Sequence, residues 1–447
     1  MKYYSLICCL LILTACSDPE PMVTTDPEVR CHMSPGEQER VDSWASESYA
    51  FDYSDGVIPE EDLLPMATYL ADANIVGMGE GTHGTSEFFT FKVRLFQLLV
   101  EKAGFKAIVF ELPWGTAQVI DDYVTQGVGS AEAALDQSFY WIYNTEEVLE
   151  LVEWMREYNA TRAPEDHIHF VGCDPQGPHF IEERRILYNY LNEVIPDSAD
   201  FFMGTLDQLP NGDLSEYYKG DLSTHQANAQ ATFDLLQKMD AYRDDWTAQS
   251  GEYDFEIARF ALEVIRQREA LYWFSGYGEE RDRTMAANTQ RWQEMWGPDT
   301  KVAAWAHNYH VLDGWAIRSI RMGTSLRLEY GNDYRNVGFS FSGGSFNAFL
   351  ANFQGGFQGS VRAQRIDEMR CGITNQLFEE VPGDQFFLVM DDLSPGTRTY
   401  FNSSQSFFQC GAGFNPAFQQ NYIIDLPIGE AFDVLVHFDE TTASDLR

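Results

Sequence analysis

Six polar residues follow directly on short apolar runs, and their types are those of acid–base chemistry. Glu80 and His83 lie in Gly79-Glu80-Gly81-Thr82-His83-Gly84, Glu111 ends Ala107-Ile108-Val109-Phe110, Asp174 follows Gly172-Cys173, and His307 and His310 lie in His307-Asn308-Tyr309-His310. An imidazole beside carboxylates has the composition of a general base with its orienting acids. Gly79, Gly81 and Gly84 are the residues expected where a chain turns sharply and comes close to a ligand. Each residue also has a plainer reading: a histidine after a strand is often a satisfied structural group, Glu111 can cap a helix, and Asp174 before Pro175 can shape a turn. It is their shared placement that singles them out.

Missing motifs narrow the chemistry. No Gly-x-Ser-x-Gly occurs; Gly338-Phe339-Ser340-Phe341-Ser342 lacks the second glycine, and His-Glu-x-x-His is absent. Without a positioned serine or cysteine nucleophile, the simpler reaction is attack by water, with His83 taking the proton. No cofactor is called for, yet Glu80, His83, Glu111 and His307 are also ligand types for Zn²⁺ or Mn²⁺, so a divalent metal stays open. His167 and His169, at a strand start without an acidic partner nearby in sequence, read as structural.

These residues need a scaffold that brings several strand ends to one edge. Near-continuous apolar runs at 74–79, 107–110, 168–172, 302–305, 337–339, 386–389 and 434–436 read as strands covered on both faces. Helical patterns lie between them, including 86–102 and 145–158. The fold class is therefore α/β, with a mostly parallel central sheet flanked by helices. In such sheets ligands bind beyond the carboxyl ends of the strands, where the six polar residues stand. Residues 181–296 are too long and too helical for a simple crossover and form a helical insertion, expected to roof the cleft with the Tyr272-Trp273-Phe274 cluster in an apolar pocket. Residues 338–413 are the least periodic.

Composition sets the class of partner. In 447 residues, 30 Lys+Arg against 69 Asp+Glu give a net charge of −39, while 14% aromatic content excludes a disordered acidic tail. Such a charge repels phosphate backbones, so no nucleic-acid partner is expected. Residues 1–15 read as a signal peptide ending in a lipobox, Leu13-Thr14-Ala15-Cys16, with Cys16 lipidated and Ser17 directing the protein to an outer membrane, facing the periplasm. Residues 16–40, rich in Pro and acids, read as a tether, and 41–447 as the domain. Cys31, Cys173, Cys371 and Cys410 then permit two disulfides in three connectivities; Cys371 with Cys410 is preferred, and Cys173 reads equally as a free thiol.

The sequence resembles the erythromycin esterase family. The matching pieces are Gly79 to Phe88, Ala107 to Glu111, Gly172-Cys173-Asp174, Arg281-Asp282-Arg283-Thr284-Met285-Ala286-Ala287-Asn288, and Trp305 to Val311, in order across roughly residues 60–440. The resemblance implies an α/β hydrolase that opens a macrolide lactone, with water activated by His83 beside Glu80 and no obligatory metal. Glu111 and His307 would complete the polar centre, with His310 at its edge. Lys92 takes the place of an Arg common in the family, with Arg94 two residues on; Lys92 joins the catalytic set, and His310, Asp174 and Arg94 the substrate-binding set. A small-molecule ester, possible lactones included, is the expected partner. The alternatives are a metal-dependent hydrolase or peptidase on a related scaffold, and a ligand-binding lipoprotein without turnover.

Overall fold

The computed structural model describes residues 31–447 except 55, 139, 177–179, 208–221, 272–276 and 353–355. The signal peptide, Cys16 and the Tyr272-Trp273-Phe274 cluster lie outside the described residues. The strands are β1 (Tyr49–Ala50), β2 (Ile75–Met78), β3 (Phe105–Pro113), β4 (His169–Asp174), β5 (Lys301–Trp305), β6 (Tyr334–Ala351), β7 (Phe357–Ile366), β8 (Gln385–Val389), β9 (Gln405–Phe408), β10 (Gly413–Phe414), β11 (Ile423–Leu426) and β12 (Val434–Thr441). The main sheet has the order β1-β8-β12-β6-β2-β5-β3-β4, with β7 and β10 also pairing with β6. Its run from β12 to β4 is parallel, and β8, β1 and β7 add antiparallel edges.

Register puts the site together. Met78 of β2 lies opposite Trp305 of β5, Trp305 opposite Phe110 of β3, and Phe110 opposite Gly172 of β4. The chain after each of these residues therefore leaves the sheet at one edge, so residues far apart in sequence become neighbours. Side chains alternate between two cores. Ile75, Ala107, Val109, Val171, Val302 and Ala304 join one face, packed with the helical insertion, while Val76, Met78, Ile108, Phe110, Phe170, Ala303 and Trp305 join the other. On the second face Phe110 stacks on both Phe170 and Trp305, with ring centroids 4.3 and 4.9 Å apart.

The helix Ser86–Ala103 connects β2 to β3 and carries Lys92. It is apolar almost all round, as a doubly covered helix must be, and Gly104 ends it in the left-handed conformation at φ 74°. The described part of residues 181–296 consists largely of helices, from Ile181–Val194 to Tyr277–Met295. Two expectations need correction. The last residues of the Pro-rich tether fold: Ser34 and Glu37 form a capping box, Pro35 occupies the first turn, and the helix Pro35–Glu47 buries Trp44 against Phe378 and Phe401. Proline there marks a helix start. The disulfide is Cys31–Cys371, joining that N-terminal segment to the body, whereas Cys410 is a buried free thiol, as is Cys173. Proximity in sequence was a poor guide: the partner of Cys371 is 340 residues away, and Cys410 is packed into the core. Among the described residues no helix is long and apolar enough to cross a membrane.

Candidate active site

Glu80 and His83 form the core of the cluster. His83 Nδ1 lies 2.7 Å from Glu80 Oε1, and its Nε2 has no hydrogen-bond partner among the described residues. Glu80 is completely buried, with Lys92 and the Trp305 indole N–H, the latter at 3.1 Å, both donating to its Oε2. Burial raises a carboxyl pKa, but here the Lys92 ammonium and His83 outweigh it and hold Glu80 below the ordinary range. Lys92 is also completely buried. Its Nζ lies 3.9 Å from the centre of the Trp305 ring. Desolvation lowers it to about 8 despite Glu80 and, further off, Glu111.

The three loop glycines serve a different purpose from the one read in sequence. None has positive φ. A Cβ at Gly79 would stand 2.3 Å from Asn308 Oδ1, and one at Gly84 2.5 Å from the Asn347 carbonyl. They let neighbouring backbone close in, and Asn308 in turn pairs with both the N–H and C=O of Phe339.

Glu111 anchors the second half of the cluster. Its Oε1 accepts from Arg281 Nη2 at 2.6 Å, and its Oε2 from the His307 backbone N–H at 3.0 Å. It caps no helix. Burial opposes its charge, but His310 and Arg281 lower its pKa well below the ordinary value. Arg281, from the last helix of the insertion, also grips Asp174 with two bonds of 3.0 and 2.7 Å, the fork-on-carboxylate geometry special to arginine. Asp174 thus positions Arg281 and is only 2% exposed.

His310 sits between two carboxylates, with Nδ1 2.6 Å from Asp282 and Nε2 3.2 Å from Glu111. Burial disfavours an imidazolium, yet Glu111 and Asp282 prevail and push His310 up to about 9. Nε2 then faces Glu111 as an ion pair, and Arg281 Nη1 approaches the same nitrogen at 3.0 Å, a contact of two cations that the carboxylates offset. Asp282 accepts further bonds from Arg321 and the Met322 N–H.

His307 is neutral, because burial, then the neighbouring His83, lower it to about 3. Its Nδ1 accepts the Tyr309 N–H and its Nε2 donates to the Cys410 carbonyl, each at 3.1 Å. Both nitrogens are committed to backbone, while the ring lies 4.9 Å from that of His83. It holds the Cys410–Gly413 strip across the face of His83, and a Cβ on Gly411 would stand 3.6 Å from His83 Nε2.

The structure thus gathers Glu80, His83, Lys92, Glu111, Asp174, His307 and His310. It leaves Arg94 out: two residues beyond Lys92 on a helix is nearly the opposite face, and Arg94 pairs with Glu60 at 3.5 Å and Gln97 at 3.3 Å. It adds Arg281, Asp282, Arg321, Trp305 and Gly411. Arg281 and Asp282 stand side by side in a charged motif, which was the available signal; the others are set by long-range packing. His169, by contrast, meets Asp121 at 3.1 Å and stacks on Trp296 at the opposite end of the strands, so it does have an acidic partner. Among the described residues no group of three or more His, Cys, Asp or Glu is arranged to hold a metal.

Comparison with known proteins identifies the family and the fold. Residues 100–441 match the family described as Erythromycin esterase, a stretch that begins after the Gly79–His83 loop. The type II erythromycin esterase of Escherichia coli is 22% identical over 364 residues, covering 72% of this chain and 85% of that protein. A solved succinoglycan biosynthesis protein superposes with TM-score 0.78 at 21% identity, covering 93% of this chain and all of the other. A mutant erythromycin esterase in its open conformation gives 0.67 at 18% identity, over 89% and 98% of the two chains. At these identities the solved structures speak for the fold.

Proposed function

The chain belongs to the erythromycin esterase family, and from that premise we propose that it hydrolyses a carboxylic ester or lactone with a water molecule activated by His83. The observation that carries this reading is the His83–Glu80 pair. Glu80 fixes the tautomer with the proton on Nδ1, which leaves the Nε2 lone pair, beside Gly411, free to act as a general base. Nε2 removes a proton from water as the oxygen attacks the ester carbonyl. The His83 imidazolium then returns that proton to the departing alkoxide. Glu80 orients the ring and offsets its transient charge without itself being protonated, the division of labour of a serine-hydrolase triad with water in place of serine.

Lys92 acts through Glu80 rather than on the substrate, since it is fully buried and keeps that carboxylate ionised. Arg281 and the cationic His310 supply the positive wall on which a developing oxyanion is stabilised. Glu111 and Asp174 hold that wall in place. Three of the four candidate metal ligands are already committed, Glu80 to Lys92, Trp305 and His83, Glu111 to Arg281, and both His307 nitrogens to backbone, which leaves His83 Nε2 alone free. This supports a metal-free route. Hydrolysis of an ester panel that includes a macrolide, run with and without EDTA, tests it: turnover should survive the chelator, and turnover abolished by EDTA would transfer the case to a metal-dependent hydrolase.

The signal peptide and Cys16 place the domain on the periplasmic side of an outer membrane in this proposal, and the Cys31–Cys371 disulfide supports an oxidising compartment. Mass spectrometry of the mature N-terminus should find a diacylglyceryl-modified Cys16; an unmodified mature residue would refute it.

A further inference from the structure

An aromatic stack adjoins the strip that covers His83. Gly411 of that strip faces His83 Nε2, the next residue, Ala412, accepts the Phe349 N–H at 2.9 Å, and Gly413 lies under the Phe357 ring, whose Cε1 would be 2.5 Å from a Cβ there. Gly411 and Gly413 are two residues apart across a bend at Ala412, so their Cα atoms lie within about 7 Å of each other and the stack neighbours the base through this short strip. Phe349 and Phe357 are parallel, with centroids 5.1 Å apart and planes 5° from each other, and Trp141 meets Phe349 edge-on at 6.1 Å. Phe357 is 56% exposed, Phe349 and Trp141 half-buried. Phe357 is exposed enough for a ligand ring to reach it.

We infer that Trp141, Phe349 and Phe357 form a subsite for a planar aromatic ring on the acyl part of the substrate. The parallel Phe349–Phe357 pair presents a flat π surface that another flat ring extends in offset stacking, whereas a puckered aliphatic ring of equal bulk matches it less well. Its place on the strip beside His83 suits a ring joined to the ester carbonyl by a short linker. The inference deepens the hydrolase reading and rests on it for the turnover assay alone.

The test compares ethyl phenylpropanoate, ethyl cyclohexylpropanoate and ethyl butanoate by pH-stat in wild type, Phe357→Ala and Trp141→Ala. Phe357 is exposed, so its truncation should leave the thermal midpoint unchanged. The phenyl ester should show the lowest KM, and either variant should raise that KM about three- to tenfold with kcat within about twofold, leaving the butanoate ester unaffected. Equal KM values for phenyl and cyclohexyl esters, unmoved by Phe357→Ala, would overturn the subsite while the hydrolase reading stands. Calorimetric binding of phenylpropanoate to His83→Ala separates the two claims. Binding weakened by Phe357→Ala, in a protein that turns over none of the esters, would sustain the subsite and sink the hydrolase reading.

Discussion

His310 should make the fold lose stability in mildly alkaline solution. Its folded-state value, about 9, lies above the ordinary 6.5 because Glu111 and Asp282 flank it. A group raised on folding contributes fully below its unfolded pKa and loses that contribution as the pH rises through its folded value. The 2.5-unit difference, at about 1.4 kcal/mol per unit, makes the contribution about 3 kcal/mol. Replacing His310 by Asn keeps a donor toward Asp282 but removes the titration. Lys92 works the other way between about 8 and its ordinary 10.5, since the unfolded chain there binds the proton better. It is common to both proteins and cancels in their difference. Urea unfolding of wild type and His310→Asn, at about pH 6 and again at about pH 9.5, should show the gap between them shrinking by about 3 kcal/mol. A gap that is the same at both pH values would refute the cationic His310 and with it the positive wall assigned to the site.

Glu80→Gln keeps the shape of the side chain but offers His83 an amide, so kcat should fall by about 10²- to 10⁴-fold, a loss of the order seen when a base is left in the wrong tautomer; steady-state kinetics would show it, and a change of less than about tenfold would speak against an orienting role. Reducing Cys31–Cys371, or replacing both by Ser, frees the N-terminal helix from the body and should cost about 2–5 kcal/mol. Differential scanning calorimetry should then record a lower thermal midpoint, with the activity per folded molecule unchanged because neither cysteine is among the residues gathered around His83.

Much of this architecture could be read from residue order. The uninterrupted apolar runs at 75–78, 107–110 and 302–305 signal strands buried on both faces, and that pattern implies a parallel sheet whose carboxyl ends carry the polar residues. Glu80, His83, Glu111 and His307 meet for that reason. What could not be read depends on contacts between distant segments. The partner of Cys371 is 340 residues away. His307 carries a ligand's chemistry in sequence, but only the fold shows both of its nitrogens bonded to backbone. Lys92 and Arg94 look like neighbours in a list and face different ways on a helix. The helix Pro35–Glu47 was hidden by its own proline and acids, because a capping box and a tether draw on the same residues.

The account stands or falls on His83. For whichever ester wild type turns over best, kcat should fall at least about 10²-fold in His83→Ala with an unchanged thermal midpoint, the loss expected when a positioned base is removed. A variant that folds equally well and keeps kcat within a few-fold of wild type would contradict the assignment of His83 as the base that activates water.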